Sequence, residues 1–140
     1  MVGSPVLRRR RNFGAMNAIA QVLAVLEGLT LIVVGVLEAF FYRNQRFHSI
    51  FLIEPKDTSA VRLWTMNVGF YNMVFGLAIL TGVVLLNVGD PIAGRTLVYL
   101  VCASHVVLGV LLAVVEPRLW RSAVGQSSLP LLVILVALLF

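Results

Sequence analysis

The chain reads as an all-α polytopic membrane protein, a bundle of four transmembrane helices, and two observations predict that class. Sixty per cent of its 140 residues are apolar and only 12% are charged, a balance that a soluble domain of this size could neither bury nor keep in solution. Crossing the hydrocarbon takes about 20 mostly apolar residues, and four stretches qualify: 13–42, 61–86, 94–115 and 122–140. The longest connection, Arg43 to Ala60, is too short for a core of its own. A single transmembrane domain over 1–140 is therefore expected, with residues 1–12 as a basic tail.

The first span follows Arg8-Arg9-Arg10-Arg11. It begins like a signal peptide, yet it is too long and has no convincing small-residue cleavage site before Glu27, so it reads as a retained helix. The basic cluster argues for a cytoplasmic N-terminus of a protein in the inner or plasma membrane. The connections pull the other way: Arg43, Arg46, Lys56, Arg62, Arg118 and Arg121 fall on the opposite side, against Arg95 on the side of the N-terminus. A formal charge of +5 raises the question of nucleic acid. Four of the basic residues gather at the membrane edge, however, where anionic membrane lipid is the nearer partner, and no nucleic-acid role is expected. Phe40, Phe41, Tyr42, Trp64 and Trp120 fit helix ends at the interface.

Within the first span lie two carboxylates, Glu27 and Glu38. Carboxylates inside transmembrane helices are rare, usually face a bundle interior or a wet cavity, and by default mark a working site. Eleven positions separate the two, so they lie within about 20° of each other on one face but about 16 Å apart along the axis. They share a face and not a site. Glu38, near the span end, either pairs with Arg43, Arg46 or Arg62 or serves as the acid of a functional site.

The second span carries Asn67-Val-Gly69-Phe-Tyr71-Asn72-Met-Val-Phe-Gly76, more polar and small residues than a lipid-facing surface favours. Gly69, Asn72 and Gly76 fall near one stripe, where a neighbouring helix could approach closely and receive hydrogen bonds. Asn67 and Tyr71, four apart, are read as an adjacent polar ridge. These groups are either packing glue or, with Glu38, the lining of a polar pocket. In the third span, Gly109 is a further packing position, and His105 is the one histidine within a span, able to give or take a proton near neutral pH. No Glu-x-x-His or His-x-x-x-His spacing accompanies it, so no metal site is expected. The single cysteine, Cys102, excludes an internal disulfide or a thiolate cluster. The fourth span opens Arg121-Ser-Ala-Val-Gly-Gln126-Ser127-Ser128-Leu-Pro130, polar groups that read as a helix start or, through Gln126, a pocket rim.

At Leu37-Glu38-Ala-Phe-Phe-Tyr42 and Asn67-x-Gly69-x-Tyr71-Asn72 the chain resembles a family of small bacterial four-span proteins known as domain of unknown function 1304. Glu38, Asn67, Gly69, Tyr71 and Asn72 are the matching positions. Val68, Val74 and Leu31 depart from the family's Gln, Phe and His. Gln126 and Pro130 approximate its Gln-x-x-Pro, offset by one, and Glu27 and His105 have no counterpart. The resemblance implies the fold and leaves activity open.

No nucleophilic triad, phosphate-cradling loop or dinucleotide fingerprint is present, and no cofactor is expected. His48, Glu54 and Asp57 match no ligand spacing and read as a solvated connector. The function expected is binding of a small ligand or proton in a polar pocket of Glu38, Asn67, Tyr71 and Asn72, with Glu27, His105 and Gln126 as further candidates. The alternatives are a membrane enzyme using Glu, Tyr or His acid–base chemistry on a lipid-like substrate, and a non-catalytic subunit or assembly factor. Homo-oligomerisation, through Gly69/Gly76 or Gly94/Gly109, or a partner membrane subunit is the expected assembly.

Overall fold

Two of the helix starts have a chemical reason that the apolar pattern alone does not supply. In the computed structural model, which describes residues 16–44, 46 and 55–139, Asn17 caps the first helix, its Oδ1 accepting from the Ala20 amide at 2.8 Å. This helix, α1, runs Ala18–Phe40, and it is followed by α2 at Arg62–Val88. Asp90 caps α3, Pro91–Val115, by accepting from the Ile92 and Ala93 amides at 2.8 and 3.2 Å. Pro91 occupies the first turn, where its missing N–H costs nothing. A single 3-10 turn, Pro117–Leu119, leads into α4, Trp120–Leu139. No strand occurs among the described residues. The Arg8–Arg11 cluster, His48 and Glu54 lie outside them.

All four helices are long and apolar enough to cross a membrane. At about 1.5 Å per residue even the 20 residues of α4 reach about 30 Å, the hydrocarbon thickness. The helices pack in chain order, α1 on α2, α2 on α3 and α3 on α4, and α4 closes the ring against α1. Gly89 and Asp90 alone separate α2 from α3, which forces those two helices to be antiparallel neighbours. At the α3–α4 connection, Arg118 donates to Glu116 through Nε and Nη2 at 2.8 and 2.7 Å. Together with the Arg118 amide, this pairing holds the half-buried Glu116 carboxyl down at about 2. The ring is closed by Asn17, whose Nδ2 donates to the Val136 carbonyl of α4 at 2.9 Å.

Helices in lipid gain little from the hydrophobic effect on meeting, so close van der Waals packing has to hold them together. Between α1 and α2 that closeness comes from two glycine pairs. A Cβ added at Gly76 would lie 2.5 Å from the Gly28 carbonyl oxygen, and one at Gly69 2.5 Å from that of Gly35. Both pairs are one heptad apart on their own helices, so the antiparallel register repeats. Ala20, Ala24 and Ala39, all buried, continue the narrow face of α1. Elsewhere Gly94 meets the Gly82 carbonyl, and Gly109 meets the Ser127 side chain and the Ala123 carbonyl. Gly69, Gly76, Gly94 and Gly109 are thus buried between helices of one chain, which removes them from any surface through which copies could associate.

The helix bounds shift by a few residues from those read in the sequence. The largest shift is at the start of α1, Ala18 against 13, and those in α3 and α4 are smaller. The Asp90-Pro91 cap starts α3 three residues before 94, and α4 already runs as helix when it reaches Pro130. Pro130 therefore sits inside the helix, buried, where its missing N–H leaves the Gln126 carbonyl without an i→i−4 donor.

Replacing Gly35 or Gly69 by Leu is expected to force α1 and α2 apart and abolish the folded, monodisperse protein on size exclusion in detergent. Gly125, which has nothing within 4 Å of an added Cβ, should accept Ala with thermal stability within about 1 kcal/mol of the wild type.

Candidate functional site

Long side chains on a helix lean toward its N-terminus. Glu38, near the C-terminal end of α1, therefore leans into the bundle, whereas Asn72 on the antiparallel α2 leans toward the membrane surface. They meet: Asn72 Nδ2 donates to Glu38 Oε2 at 2.7 Å. Both side chains are partly buried. This contact joins α1 and α2 across the face set by Gly35 and Gly69. At the opposite end of the same face, Asn87 Nδ2 donates to Gln21 Oε1 at 2.8 Å. One amide contact thus closes each end of the glycine-lined interface.

Glu38 has no ion pair among the described residues. Arg43 turns to its neighbour instead, Nε donating to the Tyr42 hydroxyl at 3.0 Å and the guanidinium lying 5.6 Å from that ring's centre. A carboxylate at this depth is therefore met by a neutral amide that offers a hydrogen bond without a compensating charge. Its other oxygen, Oε1, has no hydrogen-bond partner among the described residues.

Asn67 and Tyr71 do not join the pair. Both are exposed on the outer side of α2, Tyr71 with 58% of its surface free, and neither makes a side-chain hydrogen bond among the described residues. The reason is angular. Asn67 and Tyr71 each stand two residues from Gly69, about 200° around the helix, so the rotation that turns Gly69, Asn72 and Gly76 toward α1 turns those two away. The ridge lies opposite the stripe rather than beside it. Asn67 instead lines a surface groove at the start of α2 with Ser59, Arg62, Leu63, Met66 and Phe70. A second, almost wholly apolar groove runs along α1 beside Gln21, Val22 and Val83.

Glu27 and His105 occupy the bundle interior, 3% and 1% exposed. They sit amid one apolar core that includes Ala24, Leu31, Ile79, Val101, Cys102 and Val133. Glu27 is within electrostatic reach of the fully buried Cys102 thiol. His105 Nδ1 lies 3.0 Å from the Val101 carbonyl, and because a carbonyl only accepts, Nδ1 carries the proton in that contact. Nε2 is then a bare acceptor. It is buried without a hydrogen-bond partner among the described residues, while the ring meets Phe75 of α2 edge to face at 5.3 Å. No hydrogen bond joins His105, Tyr71 or Gln126 to Glu38 among the described residues. No group of three or more His, Cys, Asp or Glu residues that could hold a metal occurs there either.

Gly28 and Gly35, on the α1 side of the close approach, were not singled out by the sequence reading. Their heptad spacing, equal to that of Gly69 and Gly76, was the available signal. The Gln21–Asn87 contact had no comparable signal, since it depends on register between two spans.

Residues 25–138 match the family model described as "Protein of unknown function (DUF1304)", and the chain belongs to that family. None of the curated proteins and none of the solved structures matches it.

A double-mutant cycle on Glu38→Ala and Asn72→Ala, measured by unfolding in detergent or bicelles, should give a coupling of about 0.6 kcal/mol, the average for interhelical hydrogen bonds in membranes, and at most about 1.7 kcal/mol. Glu38→Gln keeps an acceptor for Asn72 and should lose less stability than Glu38→Ala.

Proposed function

We propose that this membrane protein binds a proton or a small hydrogen-bond-donating ligand at Glu38, with Asn72 holding the carboxyl in place. The observation that carries this reading is the Asn72–Glu38 contact of 2.7 Å. It secures one oxygen of an intramembrane carboxyl by a neutral group and leaves the other open. A carboxylate in a low-dielectric setting needs a cation or a proton to offset its desolvation. Arg43 is engaged with Tyr42, so a bound proton, an ammonium group or a ligand hydroxyl would complete the site at Oε1. Asn72 also fixes the carboxyl's rotamer, which favours a defined geometry for the incoming group.

Acid–base catalysis with Tyr71 or His105 is the weaker reading, because the first faces outward and the second is buried against Phe75. A purely structural subunit would use Glu38 only to choose its helix partner. The same proposal places the chain in the plasma membrane with its N-terminus in the cytoplasm. Any association with copies of itself or a partner subunit would run through outer faces, since the interhelical glycines are already covered.

Native mass spectrometry of the detergent-purified protein, compared with Glu38→Gln and Asn72→Ala, tests the reading. The wild type should carry a small molecule, or show a thermal shift with the molecule released from it, that both variants lose while remaining folded. Equal occupancy and equal thermal shifts in all three would refute it. A stoichiometric protein partner in place of a small ligand would favour the subunit reading.

A further inference from the structure

The groove at the start of α2 has a layout that the Glu38 site does not explain. Arg62 is the first residue of α2 and is exposed. No ion pair or hydrogen bond from its guanidinium occurs among the described residues. Ser59 and Asn67 line the same groove, and its remaining wall is apolar, chiefly Leu63, Met66 and Phe70. Leu63 and Phe70 are 72% and 47% exposed.

Depth sorts these residues in order. The 27 residues of α2 span about 40 Å, the thickness of hydrocarbon plus both headgroup layers. Arg62 at its tip therefore stands among headgroups. Asn67 lies about 7.5 Å deeper along the axis and Phe70 about 12 Å deeper, which puts them at the ester boundary and in the acyl region. Trp64, in the first turn of α2 and 71% exposed, is a side chain that favours the interface.

We propose that this groove is a binding site for one anionic phospholipid, with the phosphate-bearing headgroup on Arg62, the glycerol ester level at Asn67 and an acyl chain along Leu63, Met66 and Phe70. The charge decides the class of lipid: a guanidinium suits a phosphate with net negative charge and gains little over water from a zwitterionic headgroup. Asn67, an amide on an outward face without a side-chain hydrogen bond among the described residues, gains an acceptor from the ester carbonyl. The site is separate from Glu38, which faces the opposite side of α2.

The test is native mass spectrometry of lipid retention after reconstitution with equal phosphatidylglycerol and phosphatidylcholine, on wild type, Arg62→Gln, Arg62→Lys and an Arg121→Gln control. One interfacial cation contributes a preference of about fivefold. The wild type and Arg121→Gln should retain one phosphatidylglycerol with that preference, Arg62→Lys should keep most of it, and Arg62→Gln should show none. Arg62 is exposed, so its substitution should leave folding intact, checked by unchanged thermal unfolding. Undiminished phosphatidylglycerol preference in Arg62→Gln, or equal retention of the two lipids by the wild type, would overturn the proposal.

Discussion

The backbone approach of α1 and α2 is the constraint on which the rest of this structure depends. In lipid the two helices would gain nothing from burying leucine against leucine, since the surrounding chains are equally apolar. What they gain comes from contact distance, and the carbonyl oxygens of Gly28 and Gly35 lie where a side chain on the partner helix would have to be. That approach fixes register and rotation together. Once Gly28 faces Gly76 and Gly35 faces Gly69, Asn72 falls within hydrogen-bond distance of Glu38 and Asn87 within reach of Gln21. A change of register by one turn would move each amide about 5.4 Å from its acceptor.

The same geometry divides the polar residues into three environments with different chemistry. Glu38 and Asn72 lie between two helices near a span end, half-buried and bonded. Glu27, Cys102 and His105 are sealed in the core, where Nε2 of His105, without a partner among the described residues, is an exception to the rule that buried polar atoms are satisfied. Asn67 and Tyr71 look outward from α2, and only lipid or another molecule can answer their polar groups. Tyr42, buried just past the end of α1, lies against the Arg43 guanidinium.

Much of this was legible in the chain. Span number and helical class follow from apolar run length, and Glu38 and Asn72 announced themselves as polar groups where hydrocarbon was expected. The outward direction of Asn67 and Tyr71 was also available, since two residues on a helix mean about 200°, yet reading them beside Gly69 treated sequence proximity as facial proximity. Other features had no such signature. Which span packs on which is decided by small residues on other spans, as with Gly28 and Gly76 or Gly35 and Gly69. The start of α3 was misjudged by three residues because hydropathy weighs Asp90-Pro91 as an interruption, whereas backbone chemistry makes it a cap and a first turn. Pro130, inside the 122–140 span expected from the sequence, sits well within α4 rather than at its start.

The central claim is that α1 and α2 meet closely enough for Asn72 to hold the Glu38 carboxyl within the membrane. Solid-state nuclear magnetic resonance of lipid-reconstituted protein, labelled at the Glu38 carboxyl carbon and the Asn72 side-chain nitrogen, measures that contact directly. The account requires a through-space correlation at hydrogen-bond range that vanishes in Gly69→Leu. A carboxyl carbon beyond that range from the nitrogen, in protein that is folded and in lipid, would contradict it.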